Sequence, residues 1–455
     1  MFNFIVSIFR FFIMLPNLVR ILFVLCRSGV FKSGEDQGMR IASALKKLGP
    51  SFIKLGQTLS VRPDIVGEEI AECLTSLQDK IPPFPSDKAR NIIEKELGRP
   101  LDSMFSQFDD EPVAAASIAQ VHKAVTIEGD EVAVKILRPD IEKHFYRDIK
   151  LFYSIAKFLR TFKKAKRLRP RAVVDVFAES VKKELDLRLE AAAASELKEN
   201  CINDEGVYIP KLYWHLTSQR ILVTQWIDGI PVNDRKALID AGHDLERITE
   251  RLSITFLNQS FRDGFFHADI HPGNLFVDKQ GNIVPVDFGI MGRLDKHTKM
   301  FVAEILRGFL TGDYAHVARV HFAAGYVPKH KSELDFMLCC RAIGEPIMGL
   351  AAKDISIAKL LAMLFKVTED FDMETQPQLL LLQKTMVLIE GVGQKLYPQV
   401  NMWQQAEDWI KLWTKENMSA KAKIKDSVND IASILIELPH NLKRIDRILE
   451  KLADD

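Results

Sequence analysis

The stretch that decides the reading is His267-Ala268-Asp269-Ile270-His271-Pro272-Gly273-Asn274, followed thirteen residues after its Asn by Asp287-Phe288-Gly289. An Asn carbonyl and an Asp carboxylate are the hard oxygen ligands that Mg²⁺ prefers. Asn274 and Asp287 are therefore the candidate metal ligands. A separate carboxylate, Asp269, is placed to orient an attacking hydroxyl or water. Gly289 allows a sharp turn after the second ligand. Between the two loops, residues 274–277 and 282–286 read as a small hairpin around residues 278–281. A competing reading has His267, Asp269 and His271 hold a metal, but the Pro-Gly-Asn run and the paired Asp287 make it less economical.

This order resembles the catalytic and metal loops of protein-kinase-like phosphotransferases, which use ATP and Mg²⁺. In such loops the first His supports the loop by packing and hydrogen bonding. Upstream, Val132-Ala-Val-Lys135 alternates like a strand leaving a turn at Gly129-Asp130. Lys135 would neutralise nucleotide phosphates, and it needs a carboxylate partner. Glu184 and Glu190, in Glu184-Leu-Asp186-Leu-Arg-Leu-Glu190, are the candidates. Where a glycine-rich phosphate loop is expected, the chain has Val113-Ala114-Ala115-Ala116-Ser117-Ile118-Ala119-Gln120-Val121. Alanine is small enough to admit phosphates but resists positive φ, and in isolation such a run favours helix. Gln225 and Trp226, closing a strand-like run over residues 220–226, complete the expected nucleotide contacts.

Taken together these residues resemble the UbiB family of atypical kinases, which support ubiquinone biosynthesis. The alanine-rich loop is one hallmark, Lys54-Leu-Gly56-Gln57 matches the family's Lys-x-Gly-Gln motif, and Glu184-Leu-Asp186 matches its Glu-x-Asp motif. With Lys135, Glu190, Asp269, Asn274 and Asp287, the match runs in order over residues 40–295. The resemblance implies that the Lys54–Gln57 extension folds over the active site where a peptide would otherwise bind. Lys54 would then meet Glu184 or Asp186, and Lys135 would pair with Glu190. Lys54 and Gln57 are three residues apart and share a helix face. No Ala-Pro-Glu follows Asp287-Phe-Gly289, and residues 294–310 read directly into a helix. Both features point to an acceptor other than protein: a small molecule, a lipid or water. The implied partners are a prenylated quinone precursor and quinone-biosynthesis enzymes.

Composition bounds the remaining classes. The chain has 455 residues, 62 Lys+Arg against 61 Asp+Glu, and 47% hydrophobic residues. That profile is globular, and the balanced charge argues against a nucleic-acid partner. Cys26, Cys73, Cys201, Cys339 and Cys340 form no regular framework and read as reduced thiols. The balance hides an asymmetry, because residues 1–34 carry Arg10, Arg20, Arg27 and Lys32 and no acid. Their polar residues fall on one arc of a helix, which suits an anionic membrane surface. Packing on the protein's own core and a full span are the alternatives, and Pro16 would kink the helix. Between Lys135 and Glu190 a helical insert carries a basic run from Lys157 to Arg171, read either as a second membrane contact or as a solvated face. Many bacterial members end in spanning helices, whereas this chain ends in amphipathic helix, so anchoring would fall to the N-terminus.

The expected fold is α+β: a protein-kinase-like bilobal fold with a small β-rich N-lobe, a helical insert, a large helical C-lobe and a helical N-terminal extension. The expected divisions are residues 1–33 (membrane-associating helix), 34–111 (helical extension), 112–228 (N-lobe with insert) and 229–455 (C-lobe). Breaks near Gly49-Pro50 and Arg62-Pro63, a rigid linker over residues 81–85 and helix over residues 87–108 are also expected. The leading functional expectation is a Mg²⁺- and ATP-dependent kinase or ATPase, peripheral at the cytoplasmic face of the inner membrane. The alternatives are a soluble phosphotransferase of the aminoglycoside or choline kinase type, and a non-catalytic ATP-binding scaffold.

Overall fold

Glycine and proline punctuate the start of the fold. In the computed structural model, which describes residues 36–60, 66–75, 82–160, 170–348 and 376–399 with scattered residues between and beyond them, α1 (Gln37–Leu48) stops at Gly49 and α2 (Pro50–Ser60) starts at Pro50. Gly49 takes a φ of 107°, which only glycine adopts readily, and proline suits a helix's first turn. The expected break at Arg62-Pro63, residues 1–22 of the N-terminal helix and residues 161–169 of the basic insert lie outside the described residues. After α3 (Glu68–Thr75) comes α4 (Ser86–Leu97), which ends on Gly98 in the left-handed region. The expectation of helix to residue 108 fails here. Pro100 cannot continue the helix, and Phe105–Phe108 forms β1, burying both Phe side chains.

The strands β2 (Ala114–Ala115), β3 (Ala119–Thr126), β4 (Glu131–Leu137) and, beyond a helical stretch, β5 (Ile221–Gln225) join β1 in a five-stranded antiparallel sheet. The run over residues 209–214 contributes a single bridge, between Leu212 and Thr224. The helices described in that stretch are α5 (Ile141–Leu159), α6 (Pro170–Glu184) and α7 (Leu187–Asn200). Strand parity divides the sheet's faces. Val132, Val134 and Ile136 pack with Ile93, Met104 and Phe105 on one face. Leu137 and Leu222 face Phe52, Phe145, Phe177 and Leu187 on the other. Lys135 shares the parity of Leu137, so the strand itself aims it at the helical side.

The chain continues through β6 (Ile230–Pro231), α8 (Arg235–Asp240) and α9 (Leu245–Leu257) into a π-helical turn at Asn258–Asp263. Next come β7 (Phe265–His267), the hairpin β8 (Leu275–Val277) and β9 (Ile283–Pro285), and β10 (Met291–Arg293), which pairs with β7. The helices α10 (Lys296–Thr311), α11 (Tyr314–Ala323) and α12 (Glu333–Met348) follow, and α13 (Pro377–Leu396) closes the described order, packing against α9 and β10. The described residues fall into two compact units, those within Met1–Leu294 and Ile357–Val400, and those within Asp295–Ser356 and Asn401–Asp455.

In the second unit, Asp295 and Asp313 cap α10 and α11 by accepting from Thr298 and His316 amides. His321 of α11 is buried against Phe336 at 4.9 Å between rings and its Nδ1 lies 2.8 Å from the Val317 carbonyl. Burial pushes its pKa down to about 4 from the ordinary 6.5, against the raising pull of that carbonyl. The unfolded chain therefore takes up a proton at pH values where the folded one does not. This group's contribution is full above about pH 6.5 and is lost as pH falls toward 4, roughly 3 kcal/mol in all. We expect denaturant unfolding of His321→Gln to show a shallower loss of stability between pH 6.5 and 4 than wild type. Equal slopes would contradict the assignment.

Candidate active site

The hairpin explains the thirteen-residue spacing. The Val286 amide donates to the Asn274 carbonyl at 3.0 Å, which folds Asn274 back beside Asp287. The Asn274 side-chain nitrogen donates to the Asp269 carbonyl at 3.3 Å, leaving its oxygen as the atom for a cation. His267 is buried, and its Nδ1 accepts from the Asp269 amide at 3.2 Å. The ring proton therefore sits on Nε2, which donates to the Asp287 carbonyl. Burial holds this imidazole below its ordinary pKa, in keeping with a neutral ring. His271 Nδ1 accepts from the Gly273 amide at 3.0 Å. With these nitrogens engaged, the alternative metal site of His267, Asp269 and His271 is set aside. Among the described residues no three His, Cys, Asp or Glu are grouped to hold a metal.

Lys135 reaches Glu190 of α7 at 2.7 and 2.9 Å and Asp287 at 3.4 Å. Burial pulls the Lys135 ammonium down, but Asp287 and Glu190 outweigh it and hold it above its ordinary value. Burial pushes the Glu190 carboxyl up to about 7, with Lys135 pulling against it and Asp287 adding to it. Partial desolvation would raise Asp287, yet Lys135 and the Gly289 amide, donating at 3.0 Å, hold it at about 2. Glu190 also accepts from the Phe288 amide at 3.4 Å. Phe288 is itself buried with Ala194, Leu197 and Phe265. One carboxylate thus fixes both the strand lysine and the metal loop.

Lys54 of α2 meets Glu184 of α6 at 2.8 Å, both side chains only 9% exposed. Asp186 does not join them. It caps α7 by accepting from the Arg188 amide and pairs with the Arg188 guanidinium at 2.7 Å. Gln57 donates to the Leu77 carbonyl at 3.2 Å, tying α2 to the chain beyond α3. Gly56 fits closely between them, since a Cβ there would lie 2.2 Å from Leu77 and 2.9 Å from Leu45.

The alanine-rich run is a hairpin rather than a helix. The Ala116 amide donates to the Ala119 carbonyl at 2.8 Å, leaving Ser117 and Ile118 at the turn. Among the described residues the non-glycine positions with positive φ are Asp140 and Asp372, so the hairpin turns without one. Arg138 holds the turn, its amide donating to Ile118 and its Nε to Ala116. Val113 is exposed, and Ala114 and Ala115 pair with Val121 and Gln120. The Ser117 hydroxyl is buried with no hydrogen-bond partner among the described residues. An orphaned hydroxyl at a phosphate-loop turn fits a phosphate ligand.

Three residues expected at the nucleotide have their side chains engaged elsewhere. Gln120 is fully buried, and its amide clamps both the Phe84 amide at 3.0 Å and carbonyl at 3.3 Å, fixing the proline linker. The Gln225 side chain accepts from Tyr208 at 2.7 Å and the Lys211 amide at 3.2 Å. The Trp226 ring lies under Lys123 at 4.9 Å. Two residues escaped the sequence reading. Gln259 links the His267 amide at 3.2 Å to Cys201 at 3.9 Å. Lys384 of α13 reaches Asp269 at 3.6 Å. No local pattern singled out Lys384, since its helix also carries Glu390 and Lys395.

The chain matches the ABC1 atypical kinase-like domain over residues 76–321 and the UbiB helical domain over residues 340–401. It is 41% identical over 431 residues to a probable protein kinase UbiB of Marinobacter nauticus, spanning 93% of this chain and 79% of that protein. A probable protein kinase UbiB of Azotobacter vinelandii is 40% identical over 427 residues, with the same coverage. The chain belongs to the UbiB family of ABC1 atypical kinases. A solved structure, the Rv3197-erythromycin complex from Mycobacterium tuberculosis, superposes with a TM-score of 0.54 at 26% identity, covering 77% of this chain and 90% of that one. The α+β kinase-like fold expected from the motifs is thereby shown. Within the UbiB framework, Lys135, Glu190, Asp269, Asn274 and Asp287 lie in the kinase-like domain, Lys54 precedes it, and Lys384 belongs to the helical domain.

Proposed function

We propose that this UbiB-family chain binds ATP with Mg²⁺ at the Lys135, Glu190, Asn274 and Asp287 cluster and acts as a phosphotransferase or ATPase supporting ubiquinone biosynthesis. The observation that carries the reading is Lys135 bracketed by Glu190 and Asp287, a cation held ready for phosphate by two carboxylates. Asn274 and Asp287 would hold Mg²⁺, which supplies charge neutralisation on the phosphate oxygens. One carboxylate and one amide oxygen suit an ion that completes its shell with phosphate and water. Ser117 and the flanking alanines would approach the phosphates. Asp269 orients the acceptor hydroxyl or water and takes its proton.

A lipid, small-molecule or water acceptor is supported by the passage of the chain from β10 into α10 across only Leu294 and Asp295. Peripheral membrane action, at the cytoplasmic face, rests on the basic apolar residues 1–33. Among the described residues no helix is long and apolar enough to cross a membrane. The test is deletion of the gene with quinone and precursor analysis. Quinone should fall, wild type should restore it, and Asp269→Asn should not. Normal quinone in the deletion strain, or rescue by Asp269→Asn, would refute the proposal.

A further inference from the structure

The acceptor-orienting carboxylate obtains its cation from outside the kinase-like domain. Across residues 267–293 the cationic side chains besides histidine are Lys279 and Arg293. Lys279 pairs with Asp228 at 3.0 Å and Arg293 with Glu196 at 2.7 Å. Neither serves Asp269, whose ion pair among the described residues is with Lys384. The helix carrying Lys384 is anchored next to that residue and at its C-terminal end. Thr385 is fully buried, its hydroxyl 3.3 Å from the Ala268 carbonyl and 2.8 Å from the Leu381 carbonyl of its own helix. At the far end, Arg235 Nε donates to the Leu396 carbonyl at 3.0 Å. Leu380, Leu382, Ile389 and Val392 bury the apolar faces of the helix. Lys384 and Asp269 remain partly open to solvent, 27% and 34% exposed.

We infer that Lys384 is a positioning residue for phosphoryl transfer, holding the Asp269 carboxylate in line and offsetting its charge beside the anionic phosphoryl group. The inference rests on the Mg²⁺- and ATP-dependent reading above and assigns the helical domain a direct part in it. Transfer spreads negative charge over the phosphoryl oxygens, and a bare carboxylate beside them is repelled. An ammonium fixed next to that carboxylate relieves the repulsion and sets its orientation. Partly exposed ion pairs of this kind contribute little to stability. Loss of Lys384 therefore affects turnover far more than folding.

The test compares wild type, Lys384→Met and Lys384→Arg as full chains, measuring kcat, KM for ATP, Mg²⁺-dependent ATP binding and the urea midpoint. Lys384→Met should lower kcat by about 10- to 100-fold with ATP affinity and midpoint unchanged, and Lys384→Arg should recover most of the rate. A Lys384→Met protein with wild-type kcat would overturn the inference alone. So would loss of binding and midpoint together with no rescue by Arg, because that marks a structural role. A wild type that neither binds nor hydrolyses ATP would overturn the phosphotransfer reading itself.

Discussion

Asp287→Asn is expected to lower Mg²⁺-dependent ATP turnover by about a thousandfold or more while the fold persists. The substitution keeps the size of the side chain and an oxygen able to accept from the Gly289 amide, which donates to Asp287 at 3.0 Å. It removes the charge that makes this oxygen a strong Mg²⁺ ligand. It also removes one of the two carboxylates that fix Lys135. Metal-borne charge stabilisation amounts to several kcal/mol, and each 1.4 kcal/mol is about tenfold in rate. Undiminished turnover by Asp287→Asn would sink the mechanism. The control is the circular dichroism spectrum and urea midpoint of the variant, which should stay near wild type.

Lys54→Met is expected to cost about 3–5 kcal/mol of stability, read as a lower urea midpoint. The Lys54–Glu184 pair is 2.8 Å long with both side chains 9% exposed, so removing the lysine leaves a buried carboxylate without its charge partner. Ser180 donates to that carboxylate at 3.2 Å, which satisfies one lone pair but not the charge. The surroundings are apolar: Phe52 meets Phe152 edge-on at 5.0 Å, and Phe152 meets Phe177 at 5.5 Å. In such a place a matched apolar replacement is often neutral. The double variant Lys54→Met, Glu184→Leu should therefore recover most of the loss. A single variant as stable as wild type would show that the pair is solvated in solution. Recovery in the double variant separates the electrostatic cost from simple loss of packing.

The geometry of the candidate site was far more legible than the small strands. Asp269, Asn274 and Asp287 could be read because spacing along the chain reports a hairpin that folds Asn274 back beside Asp287. Lys135 could be read because alternation on β4 sets which face it takes, and its partner Glu190 lies on the helix where a carboxylate was sought. The three-residue strands β7 and β10 were invisible, since alternation needs more residues than they have. β1 was missed although Gly98 and Pro100 announced the end of the helix before it, because its two Phe residues fit a helical stripe as well as a strand. The side-chain partners of Gln120 and Gln225 were not legible for a different reason. A side chain in the right segment can face either way, and both amides turned to backbone and tyrosine partners. Lys384 could not be found from local pattern at all, because its partner lies in a different domain of the chain.

On the proposed function, Lys135, Glu190, Asn274 and Asp287 form one Mg²⁺- and ATP-binding site. Equilibrium dialysis of labelled ATP against the full chain, with and without Mg²⁺, tests it most directly. The expected result is saturable binding of one ATP per chain that requires Mg²⁺ and is abolished by Lys135→Met and by Asp287→Asn. No binding by wild type, or binding that survives both substitutions, would contradict it.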